Sequence, residues 1–105
     1  MNALRLGWKT KGQRMDEIEK VLKERGKIYG DAKEQFDTWE GLNKIWLDYH
    51  QKSPNKGNRA FCGLIRMALL KLTRIGFDPK IEDSWIDIKG YLRLAEKEIF
   101  KDEQK

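Results

Sequence analysis

Three groups of residues in this 105-residue chain have the types and spacing to act on a charged ligand. Lys71 and Arg74 stand three apart in an apolar stretch, so a helix puts them on one face, with Arg59 and Arg66 upstream. Lys27 and Tyr29 lie between Gly26 and Gly30, and glycines there let backbone N–H groups approach an anion. Asp31 and Glu34 are one turn apart, as are Asp83 and Asp87. Cationic side chains hold phosphate through charge-assisted hydrogen bonds, and an aromatic ring can stack on a base. Lys27, Tyr29, Arg66, Lys71 and Arg74 are therefore the candidate ligand-binding residues. Carboxylate pairs on facing helices can instead hold Mg²⁺, which takes oxygen ligands and keeps waters for chemistry on phosphates. Asp31, Glu34, Asp83 and Asp87 are the candidate metal ligands under that alternative.

Each group also has a purely structural use. Asp31 suits an N-cap that accepts from the Glu34 N–H while the Glu34 side chain reaches back. Lys71 and Arg74 can pair with Asp83 and Asp87 across a helix hairpin, and a bidentate Arg74–Asp87 pair would set its register. Gly90 in mid-helix costs about 1 kcal/mol against alanine, so close approach of a helix or ligand is its expected reason. Cys62 reads as a small buried hydrophobe and His50 as a partner for helix-terminal carbonyls. No catalytic residue is assigned.

Four amphipathic segments must position these side chains. The first, about Met15 to Glu24, carries Met15, Ile18 and Leu22 and is expected to stop at Arg25-Gly26. The second follows Asp31 and runs to about His50, marked by Phe36, Trp39, Ile45, Trp46 and Tyr49. The loop Ser53–Gly57 leads into a third, about Asn58 to Ile75, apolar round most of its circumference and so central to a bundle. Gly76 is expected to end it, and Pro79 to open the fourth. There Ile81, Trp85, Ile88, Leu92, Ala95 and Ile99 alternate steps of four and three. No segment alternates with period two. The pattern predicts an all-α fold, a compact bundle of about four helices, with Trp39, Trp46 and Trp85 in its core.

Composition sets the outer limits. The chain has 22 Lys and Arg against 17 Asp and Glu, a net charge of +5, one cysteine and one histidine. Cys62 alone gives no internal disulfide, and His50 alone gives no Cys/His metal cluster. No apolar run approaches the roughly 20 residues of a membrane span, and no signal peptide is visible. Residues 1–14, with Arg5, Lys9, Lys11 and Arg14, read as a basic leader, 15–100 as one helical domain and 101–105 as a polar tail. Trp8 lies outside the periodic segments.

The pattern Glu24-Arg25-Gly26 … Tyr29-Gly30-Asp31 … Phe36, then Ala68 … Lys71 … Arg74, then Glu82-Asp83 … Trp85 … Asp87 … Gly90-Tyr91 resembles a family of small phage and prophage helical proteins of unknown function. The resemblance covers about Met15 to Glu96 and implies a helical fold and a viral accessory role in the cytoplasm of an infected bacterium. A more distant likeness is to the MazG-type nucleotide pyrophosphohydrolases, whose paired acidic motifs bind Mg²⁺. Their nearest counterparts here are Asp31 and Glu34, and Glu82 or Asp83 with Asp87.

The expected function is to bind a nucleotide-type phosphate ligand, by analogy with phage proteins that sequester cyclic nucleotide signals of host defence. That role needs no cofactor, and it favours a binding protein over an enzyme. The alternatives are a Mg²⁺-dependent pyrophosphohydrolase and an inhibitor of a host protein or nucleic acid. Apolar content beyond what four short helices hide predicts a homo-oligomer.

Overall fold

The computed structural model describes residues 11–102, with side chains from Asp16 onward. The leader residues 1–10, Trp8 among them, lie outside the described residues. Four helices of 19 residues each make up the fold: α1 Lys11–Tyr29, α2 Ala32–His50, α3 Arg59–Phe77 and α4 Glu82–Phe100. The described residues contain no strand. The fold is an all-α bundle.

Helix ends follow local chemistry, with two corrections. Asp31 caps α2 and accepts from the Glu34 N–H at 3.0 Å; Asn58 caps α3 and accepts from the Phe61 N–H at 3.0 Å. No reciprocal bond from the Glu34 side chain to Asp31 forms. The first helix does not stop at Gly26. It continues to Tyr29 and is ended by Gly30, whose φ of 85° is one that L side chains rarely adopt. Likewise α3 runs through Gly76 to Phe77, and Asp78 closes it with a backbone N–H to the Arg74 carbonyl. A glycine on its own signals freedom to turn; the positive φ shows which glycine uses it.

Antiparallel α3 and α4 form the main pair. Lys71 Nζ lies 3.1 Å from Asp87 Oδ2 near one end, and Asn58 Nδ2 donates to Glu98 Oε1 at 3.3 Å near the other. The Lys101 ammonium, with help from Asn58, holds the Glu98 carboxyl below its usual range. Small residues let the two helices approach: Ala68 is 5% exposed, Ala95 2% and Ser84 2%. Leu70 and Ile75 complete the buried apolar set.

Gly90 is not part of that contact. A Cβ built on it would meet nothing within 4 Å, so the expected close approach does not occur among the described residues. Gly90→Ala should accordingly raise stability by about 0.5–1 kcal/mol in thermal or urea unfolding, the helix-propensity difference alone. A loss instead would mean that a second molecule packs there.

The face of α2 turned toward α3 also differs from the sequence expectation. Gln35, Trp39, Asn43, Trp46 and His50 line it, whereas Phe36, Ile45 and Tyr49 stay exposed. Trp39 Nε1 donates to the Arg66 carbonyl at 2.6 Å. His50 stacks on Trp46, with centroids 4.8 Å apart, and leans on Phe61 instead of capping carbonyls. Trp85 is 44% exposed and donates to the Pro79 carbonyl at 2.8 Å, so it is not core. Asn43 is buried, and neither atom of its amide meets a protein partner among the described residues.

Among the described residues, helix α1 meets the rest of the fold mainly at α2. The Cα radius of gyration is 18.8 Å, against about 13 Å for a closely packed chain of this length.

Candidate binding site at the α1–α2 junction

The junction of α1 and α2 is two residues long, and its geometry builds the site. Gly30 turns the chain, with its N–H on the Gly26 carbonyl at 2.9 Å. Gln35, one turn into α2 and 9% exposed, then acts in two directions. Its Nε2 donates to the Tyr29 carbonyl at 3.4 Å, and its Oε1 accepts from Arg74 Nε at 2.9 Å. The Arg74 guanidinium also lies over the Tyr29 ring, 4.5 Å from its centroid, a cation–π distance. Gln35 and Tyr29 thus fix Arg74 from α3 against the end of α1. No carboxylate among the described residues neutralises it.

Two clefts flank this knot, and both touch Tyr29, Gly30, Asp31 and Gln35. One, of about 460 Å³, lies between the last turns of α1 and the start of α2; Leu22, Lys23, Arg25, Phe36 and Arg74 complete its wall. Three cations face it against the single carboxylate of Asp31, which already accepts from the Glu34 N–H. Neither Lys23 nor Arg25 makes an ion pair among the described residues. The other cleft, about 360 Å³, runs between α2 and the end of α3, beside Thr38, Leu72, Thr73 and Phe77. The Phe77 ring closes down on Gly30, so a Cβ there would come within 3.0 Å of it. Gly30→Ala should cost about 1–3 kcal/mol, combining left-handed strain with that contact. Unchanged stability in urea unfolding would show that the junction turns by another route.

Of the five residues expected to bind a ligand, the structure brings together Tyr29 and Arg74. Lys71 does not join them. Three residues along a helix leave two side chains about 60° apart, enough for Lys71 to face α4 while Arg74 faces α1 and α2. The Lys71 side chain is 13% exposed and committed to Asp87. The expected Arg74–Asp87 pair does not form. Arg66 lies about 12 Å back along α3, over Trp39 at 5.5 Å and 3.7 Å from Glu40. Lys27 is exposed and lines neither cleft.

The acidic residues do not converge either. Asp31 is a helix cap, Glu34 lines the smaller cleft, Asp83 is exposed on the first turn of α4, and Asp87 holds Lys71. Among the described residues no three His, Cys, Asp or Glu side chains group as a metal would need. Sequence reasoning missed Gln35, Lys23 and Arg25. Gln35 could have been found: it stands four before Trp39 on the inward face, a polar residue in an apolar stripe.

A family model described as a domain of unknown function, DUF6378, matches residues 13–99. The chain belongs to the DUF6378 family. The match takes in all of α2, α3 and nearly all of α1 and α4, so the junction, Gln35 and Arg74 fall within the DUF6378 domain. No curated protein and no solved structure gives a match to this chain. No described helix is long and apolar enough to cross a membrane.

Proposed function

We propose that this protein binds a phosphate-bearing, nucleotide-type ligand in the larger cleft at the α1–α2 junction. One observation carries the reading. Arg74 is oriented by a neutral amide and an aromatic face, so its charge stays available where Lys23 and Arg25 also converge. A structural arginine is ordinarily discharged by a carboxylate, as Lys71 is by Asp87. The phosphate would take the three cations, and Leu22 and Phe36 offer an apolar wall for a base. In a phage setting, holding such a ligand without consuming it would deplete a cyclic nucleotide signal of host defence.

Calorimetric titration with AMP, ATP, cyclic di-AMP and cyclic GMP-AMP tests the proposal. At least one should bind, more weakly as salt rises, because cations that hold phosphate are screened. The bound compound should be recovered unchanged. Absence of heat with all four at low salt would overturn ligand binding, and hydrolysis products would overturn sequestration.

A further inference from the structure

Fifteen large apolar side chains among the described residues keep between 42% and 77% of their surface exposed. At roughly 150–250 Å² for a large side chain, that leaves on the order of 1,500 Å² uncovered. A standard interface covers about 800 Å² per partner, a little over half of it apolar. Six of the fifteen, roughly 500 Å² of the uncovered surface, form two ordered stripes. On α4, Trp85, Leu92 and Ile99 recur every seven residues along one flank, 44%, 46% and 42% exposed. On α1, Val21 and Ile28 are also seven apart, with Ile18 beside them, 48%, 46% and 50% exposed. A seven-residue interval on both surfaces suits helices that cross at about 20°. The lengths also agree: about 15 Å of apolar α1 against about 21 Å along α4.

The chain cannot bring its own α1 onto that flank while the junction keeps this geometry. Only Gly30 and Asp31 separate α1 from α2, the Tyr29 carbonyl is held by Gln35, and Phe77 lies on Gly30. The direction of α1 is therefore set by the site itself. We infer that a second copy of this chain covers the exposed α4 flank with its α1, and that the contact is reciprocal. A two-fold axis supplies each α1 stripe with an α4 flank and leaves neither open. This inference does not rest on ligand binding at the junction. It uses only the apolar surfaces and the rigidity of the turn.

Light scattering at tens of micromolar should give twice the 12.4 kDa chain mass, and Leu92→Glu should bring it down to the single-chain value. A monomeric parent protein would overturn the inference. If Leu92→Glu lowers helix content and so confuses folding with assembly, cysteine trapping decides. In a Cys62→Ser background, chains carrying Val21→Cys are co-expressed with chains carrying Leu92→Cys and then oxidised. A disulfide joining the two kinds of chain supports the arrangement. Disulfides only between chains of one kind, or none in a dimeric sample, would overturn it.

Discussion

Truncating Arg74 to alanine is expected to weaken nucleotide binding about 10- to 150-fold and to lower stability by about 1.5–4 kcal/mol at once. Two losses add on the stability side. The Gln35 carbonyl oxygen, in a residue only 9% exposed, is left without its donor, which costs about 1–3 kcal/mol. The cation–π contact with Tyr29 contributes about 0.5–1 kcal/mol more at a site open to solvent on one side. On the binding side, a charge-assisted contact to phosphate is worth about 1.5–3 kcal/mol, a factor of roughly 10 to 150 in affinity. Arg74→Lys separates the two effects, because lysine keeps the charge but not the planar fork and the stacking face. It should recover part of the affinity and little of the stability. The measurements are calorimetric titration with the best-bound nucleotide and the apo unfolding midpoint in urea, for both variants. Equal affinity in parent and alanine variant would remove Arg74 from the site.

Replacing Ala95 with leucine is expected to cost about 1–3 kcal/mol or more, the larger end if the helices cannot separate. Ala95 is 2% exposed on α4, the helix that packs against α3. Leucine needs room for three further carbons where no side chain can move aside cheaply, since interiors pack at crystal-like density. The midpoint of thermal unfolding should fall by roughly 4–8 °C per kcal/mol in a chain of this size. Gly90 lies five residues earlier on the same helix, and its alanine variant should move the midpoint the other way. Opposite signs from two small residues on one helix would locate the helix contact. A leucine at position 95 that leaves the midpoint unchanged would place α4 in a different rotation about its axis.

The contrast between Ala95 and Gly90 shows how far the sequence could be read. Four amphipathic segments, the Asp31 cap, the loop at Ser53–Gly57 and the hairpin of α3 and α4 all follow from local signals. Periodicity and capping act over a turn or two of chain, so they are present in the order of residues. The Lys71–Asp87 pair was also accessible, because a four-residue link forces those helices to be neighbours. Rotation about each helix axis was not. Phe36, Ile45 and Tyr49 look like core in the order of residues and are 44%, 71% and 77% exposed, while Gln35 and Asn43 are buried.

The candidate site depends on that rotation. Lys71 and Arg74 are alike in type and only three residues apart, yet one is spent on a salt bridge and the other is poised over Tyr29. The difference is about 60° around α3, which lies within the width of a single helical face. Sequence by itself determined that this protein is all-α, that Asp31 begins its second helix, and that cations, an aromatic ring and glycines are available near Gly30. Helix α1 starts at Lys11 and not Met15, and α4 at Glu82 and not Pro79. Only the tertiary structure decided that Gly30 and not Gly26 makes the turn, and that Gln35 links Tyr29 to Arg74. Those contacts join residues 29, 35 and 74, and no local preference reaches 39 positions along the chain. They exist because α2 packs against α3 in one register, and that register is set by the summed fit of both faces.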